Sequence, residues 1–538
     1  MRLQLLFILI APLSSAQTVL DVRNFGAVGN GSTLNTAAIQ QAIDSASALG
    51  GAVVLLTNGT YKSSTIRMKS NVTLRITADA TLLAVSNYSD YPDIPYNRPS
   101  WSDTYTKRSL LFAEEADNIR ITGGGTIDCA GFNFAYLQTP TKQRPFGVRI
   151  HACINVTIDS VEFKTAPQWM VHIMRSQNIH IHHISIFNHG FGANDGIDID
   201  CCRNVLIEDC VIDSNDDPIA IKTHSEDTCR DVLVRNCEIA TFERGVKVGN
   251  ESQGPLINIR FEDITIRETD FTLKLPPQSA VYLAIADGGS ADSISFERIN
   301  VVTSYDTPIF IRLCNRGQHY DTLAPPPTVK FLRNVLVKDV ICTAKTVIPS
   351  SITGIPGHNV ENVRLQNIEF VSPGNGPLVS SNVPEQETNR PENDIWGDSL
   401  PAYGLYVRHV DGLVLDSFCV ELQNPDQRGM LYFEDTSEVA VIGKCSPFVS
   451  IGTPKKNDKN DLRVFPMPAK NSLRIEGLPS NEYLRLDVMN MTGQTVFSHC
   501  FQHLSTYAEL DISKFVPGIY LLTVKNGKQT HSVRFIKN

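Results

Sequence analysis

The chain contains neither a Cys-x-x-Cys nor a His-Glu-x-x-His arrangement, so two common local frameworks for a metal centre are missing, and neither a catalytic metal nor any other cofactor is expected. Its 12 cysteines are scattered, which argues against a small cystine-stapled scaffold. Positive charge is also short. A net charge of −9 and a pI near 5.8 argue against nucleic acid as the partner, although a local basic groove remains compatible with them. After the first residues no stretch is apolar enough to cross a bilayer, so no transmembrane segment is expected.

What is present begins with Met1-Arg-Leu-Gln-Leu-Leu-Phe-Ile-Leu-Ile-Ala-Pro-Leu-Ser-Ser-Ala16, a basic residue, a short apolar run and small residues before Gln17. That is the pattern of a secretory signal peptide over residues 1–16. The 538 residues, 42% hydrophobic and 20% charged, allow more than one domain.

A short phrase then recurs, asparagine or aspartate followed by alternating hydrophobic residues. It begins at Asn155, Asn178, Asn204, Asp231 and Asn258, at spacings of 23, 26, 27 and 27 residues, and returns at Asn334 and Asn362. Each copy has the period-two pattern of a strand, and the repeat length is that of a solenoid. A right-handed parallel β-helix is therefore expected over residues 17–452. Residues at equal offsets should stack, making Val161, Ile184, Cys210, Cys237, Ile264, Val340 and Ile368 one buried ladder with the cysteines packing as small hydrophobes. Helical periodicity after Asn35, a candidate N-cap, predicts a helix covering the open end.

The same register organises the chemistry. Asp195-Gly-Ile-Asp-Ile-Asp, Asp217-Pro-Ile-Ala-Ile-Lys and Arg244-Gly-Val-Lys-Val align through Ile197, Ile219 and Val246. Asp195, Asp217 and Arg244 should share an outward column with Asp216 beside it. Three crowded carboxylates suit acid/base hydrolysis, because mutual repulsion raises at least one pKa and keeps a proton available. Lys222, Lys247 and Lys274 are expected on the same face and, with Arg244, are candidates to hold an anionic substrate group. Trp169, His189, Tyr282 and Arg312 are further candidates to border the cleft.

The helix, the early coils, Ile121-Thr-Gly-Gly-Gly-Thr-Ile-Asp128 and the aspartate pattern resemble glycoside hydrolase family 28, the polygalacturonases. The resemblance implies that Asp216 protonates the leaving oxygen while Asp195 and Asp217 activate water with inversion. Ala193-Asn194-Asp195 keeps only the aspartate of the family's Asn-Thr-Asp segment. Glu243-Arg244-Gly245 stands at its Gly-His-Gly segment, and Thr272-Leu273-Lys274 at its Arg-Ile-Lys segment. Those departures weaken the inference to homogalacturonan itself. The expected substrate is a pectin-like polysaccharide. Alternatives are hydrolysis of rhamnogalacturonan or a neutral galactoside, a lyase or epimerase, and a non-catalytic glycan-binding protein.

A polar linker is expected at 453–460. Beyond it, at 461–538, short alternating strands predict a small β-sandwich. Val464-Phe-Pro-Met-Pro, Val488-Met-Asn-Met-Thr-Gly493 and Pro517-Gly-Ile-Tyr-Leu-Leu resemble the C-terminal sorting domain of type IX secretion substrates. The type IX machinery is the implied partner, and the outside or the outer-membrane surface the implied location, with the chain acting as a monomer.

Overall fold

The computed structural model describes residues 17–94, 97–133, 143–190, 192–271, 276–319, 327–379, 382–443, 463–465, 469–476, 483–490, 494–502, 507–525 and 530–537. The expected signal peptide and linker lie outside these residues. Two compact units are present, residues 1–444 and 445–538. Among the described residues no helix is long and apolar enough to cross a membrane.

The first unit is a parallel β-helix. Strands pair in parallel from coil to coil, for example Ile154–Asp159 with Gln177–His182 and Arg203–Glu208 with Cys229–Ala240. The residues of the expected ladder are all buried, and the pairings Cys237 with Ile264 and Val340 with Ile368 hold its register. One coil escaped the repeat pattern. Ile299 sits between Ile264 and Val340, on a copy whose first position is Ser293 rather than asparagine.

The recurring asparagine has a physical reason. Asn118, Asn155, Asn178 and Asn204 have φ of 56°, 59°, 58° and 55°, the left-handed region that asparagine tolerates better than most residues. Each donates its side-chain amide to the one a coil below at 2.7–2.9 Å, starting at Asn71. The ladder therefore supplies both the turn and a hydrogen-bonded column along one corner.

The helix Thr36–Ala48 buries Ile39, Ala42, Ile43 and Ala46 against the first coil. Asn35 is at its N-cap position, but its side chain makes no cap bond. Instead it accepts from Val28 N at 2.6 Å and donates to the Thr33 carbonyl at 2.7 Å, tying the preceding loop to the helix.

The second unit has two antiparallel sheets, of three and four strands among the described residues. Leu473, Ile475, Leu486, Val488, Leu522 and Phe535 belong to its core. The expected strands are present, and Arg463–Phe465 and Tyr507–Asp511 join them.

Candidate active site

The site lies where Ile197–Asp200, Ile219–Thr223 and Arg244–Ser252 run side by side. Ile197 pairs with Ile219, and Ala220 with Lys247, so the expected alignment of Asp195, Asp217 and Arg244 is the observed one. The coils approach closely here. A Cβ on Gly196 would come within 2.4 Å of the Pro218 carbonyl oxygen, so the residue after Asp195 has to be glycine.

Hydrogen bonds set the three aspartates. Asn188 donates to the Asp195 carbonyl at 2.8 Å, and Asn194 to the Ala166 carbonyl at 2.6 Å. The Asp216 carbonyl accepts from Ser214 and Thr241 hydroxyls at 2.8 and 2.7 Å. Its carboxylate accepts the backbone N–H groups of Ala193 at 2.8 Å and Asp217 at 3.0 Å.

One carboxylate oxygen from each of Asp195, Asp216 and Asp217 lies within 4.8 Å of the other two. Asp195 and Asp217 are 3% and 2% exposed, whereas Asp216 keeps part of its surface in water. Asp217 Oδ2 accepts from Lys247, while its buried Oδ1 has no hydrogen-bond partner among the described residues. Loss of water pushes the Asp195 carboxyl well above the usual range, and the charges of Asp198 and Asp216 add to the shift. Asp216 is raised for the same first reason, with Asp217 next. The cluster favours holding at least one proton.

The cations differ from the expectation of a substrate-facing set. Lys222 is 1% exposed. Its ammonium lies 2.6 Å from Asp198 and 3.5 Å from Asp195, and 4.2 Å from the centre of the Trp169 ring. Lys247 is committed to Asp217, and Arg244 to Glu243 and Glu392. All three are on the outward face, yet each is already neutralised by carboxylates of the chain, because burying an unpaired cation is too costly. Lys274, with the Thr272-Leu273-Lys274 segment, lies outside the described residues. The residue that pairs with Lys247 one coil further on is Tyr282.

Among the weaker candidates, Trp169 lines the site beneath Lys222. His189 is fully buried, bonded to Asp213 at 2.7 Å and stacked on Phe271. Tyr282 and Arg312 are buried beneath the segment 383–400.

Several groups escaped sequence reasoning. Asp198, pushed up to about 6 chiefly by burial, occupies the next outward position of its strand and was legible from the alternation. Glu243, raised to about 7 by burial, was read only as a family mismatch. Glu392 comes from an irregular segment with no repeat to locate it. Asp200 accepts from the ring nitrogens of His172 and His224 at 3.1 and 2.8 Å, a network assembled from three coils.

Residues 51–389 match glycosyl hydrolases family 28. The chain belongs to that family. It is a glycoside hydrolase of polygalacturonase type. A probable polygalacturonase from Vitis vinifera is 27% identical over 404 residues, covering 68% of this chain and 80% of the relative. The exo-poly-alpha-D-galacturonosidase of Dickeya chrysanthemi is 26% identical over 383 residues, covering 60% and 62%. The family 28 exopolygalacturonase of Yersinia enterocolitica shares the fold with a TM-score of 0.61 at 19% identity, covering 80% of each chain. That of Thermotoga maritima does so with a TM-score of 0.55 at 21% identity, over 66% of this chain and 87% of the other. Residues 463–538 match the secretion system C-terminal sorting domain. The sorting domain implies export of this family 28 enzyme to the cell surface or beyond.

Proposed function

We propose that the enzyme cleaves O-glycosidic bonds of a pectin-like, uronate-containing polysaccharide by direct displacement with water, inverting the anomeric centre. The observation that carries this reading is the unequal exposure of three carboxylates held within 4.8 Å of one another. Asp216, partly exposed with a raised pKa, is suited to give its proton to the leaving oxygen. Asp195 and Asp217 are too buried to attack a sugar carbon themselves and are left as the bases that take a proton from the attacking water.

Each cut consumes one water. Its hydroxyl joins the anomeric carbon, Asp216 protonates the departing sugar oxygen, and the proton of the water returns to the carboxylate cluster. The spacing is shorter than the roughly 6.5–9.5 Å of ordinary inverting pairs, so the stereochemical assignment rests on accessibility rather than separation. Arg244 is the cation best suited to turn to a substrate carboxylate, since Glu243 and Glu392 both reach solvent. Lys222 and Lys247 instead serve Asp195 and Asp217.

Proton NMR of the first product formed from an oligogalacturonide is the test. Inversion gives the anomer opposite to the cleaved linkage; retention overturns the water-attack assignment. An unsaturated product absorbing in the ultraviolet would replace hydrolysis by elimination.

A further inference from the structure

Along the axis of the coils, a chain segment packs on the outward face on each side of the three aspartates. On the C-terminal side, the segment 383–400 lies across the outward face of the coils that follow Lys247. Val383, Trp396 and Leu400 pack on Tyr282, Phe310 and Tyr406. Polar contacts hold the segment down. Tyr282 Oη donates to the Pro391 carbonyl, and Arg312 donates to the carbonyls of Glu385 and Gln386 at 3.1 and 2.8 Å, while within the segment Trp396 Nε1 donates to the Pro384 carbonyl at 2.8 Å. Because Tyr282 pairs with Lys247, the apolar part of this wall stands two coils past Asp217, about 10 Å at ~4.8 Å per coil, while its Glu392 reaches Arg244 one coil nearer.

On the N-terminal side a second wall stands over Trp169 and Arg149. Arg149, two coils before Asp198 on the same column, is fully buried. It donates to Asp103 at 2.7 Å and to the Thr106 carbonyl at 2.9 Å. The Tyr105 ring meets Trp169 edge-on at 5.2 Å, and Trp101 N donates to the His224 carbonyl at 3.1 Å. Between the two walls the partly exposed rim includes Asp216 and Glu243, and Glu392 of the C-terminal wall is partly exposed as well. Glu392 is also the point where the C-terminal wall grips Arg244.

We propose that the enzyme is exo-acting: one end of the polysaccharide enters a dead-end pocket, the bond at Asp216 is cut, and a short product leaves through the same mouth. A polymer running along the coils would collide with both walls, so internal bonds cannot be presented. This rests on the hydrolase reading above.

The experiment follows full-length enzyme on polygalacturonate, with product lengths resolved by anion-exchange chromatography and viscosity recorded in parallel. A single short product from the earliest time point, with viscosity nearly unchanged when about a tenth of the substrate is consumed, is expected. An early ladder of many lengths with collapsing viscosity would overturn the pocket while leaving hydrolysis intact. No cleavage of polygalacturonate or any other pectic glycan would overturn both. Glu392→Ala, which cuts the link between wall and Arg244, should add longer oligomers to the early products. An unaltered single product from that variant, with folding verified by circular dichroism, would remove Glu392 from the pocket's end.

Discussion

The ammonium of Lys222 lies 2.6 Å from the carboxylate of Asp198, with side-chain exposures of 2% and 0%. Lys222 follows Asp198 by one coil and reaches across to it, while the same ammonium stands 3.5 Å from Asp195. Two carboxylates and one cation are thus buried together under the site, and the cation lowers the cost of ionising both.

Replacing Lys222 by methionine should therefore act on stability and on chemistry together. Two buried carboxylates lose their counter-charge, a loss of about 3–5 kcal/mol, and chemical denaturation will read it as a lower midpoint. Any remaining activity should have its acid limb moved to higher pH, since Asp195 becomes harder to ionise. Adding Asp198→Asn should recover much of the stability. A Lys222→Met enzyme with an unmoved pH profile would assign the lysine to packing alone.

Asp216→Asn should trade activity for stability. In the folded state the Asp216 carboxyl is raised above its ordinary value, so the folded protein binds this proton more tightly than the unfolded chain does. The resulting stabilisation is present at low pH and is lost as pH rises through the folded-state value. The amide removes that dependence, and Tm at pH 7 should rise by on the order of 1–4 °C with little change near pH 3. The rate constant kcat should fall by about 10²–10⁴.

Arg244→Ala separates binding from catalysis. If the guanidinium receives a substrate carboxylate, KM for oligogalacturonides should rise by roughly 10–100-fold, the weight of a charged hydrogen bond. Any turnover of neutral galacto-oligosaccharides should keep its KM. Equal effects on charged and neutral substrates would assign Arg244 to holding the wall through Glu392.

The asparagine ladder is a purely structural device, and Asn178 is a clean place to test it. Asn178→Ala forces φ near 58° on a residue that avoids it and cuts side-chain bonds to Asn155 and Asn204. A loss of about 1–3 kcal/mol is expected, smaller for Asn178→Gly, which accepts the backbone conformation. Specific activity of the folded fraction should stay at the parent level in both.

The repeat made the β-helix legible because stacking turns a sequence offset into a spatial column. Equal offsets alone place Asp195, Asp217 and Arg244 in one line, with Asp216 beside them. The coil at Ser293 was missed because serine stands in the asparagine position, although its φ is 62°. Thr272-Leu273-Lys274 lies outside the described residues, and the residue that strand pairing sets after Lys247 is Tyr282.

Sequence by itself thus determined the coil, the facing of its columns and the gathering of three carboxylates, since alternation and period are local properties that repeat. Tertiary structure decided which charges meet and which stay in water. Lys222 is withdrawn from substrate because it neutralises Asp195 and Asp198, and Glu392 arrives at Arg244 from a segment without periodicity. The segments that flank the aspartates, a short 3-10 helix at Trp101–Thr104 and the non-repeating stretch 383–400, carry no repeat, and their position depends on packing and hydrogen bonds between residues far apart in sequence.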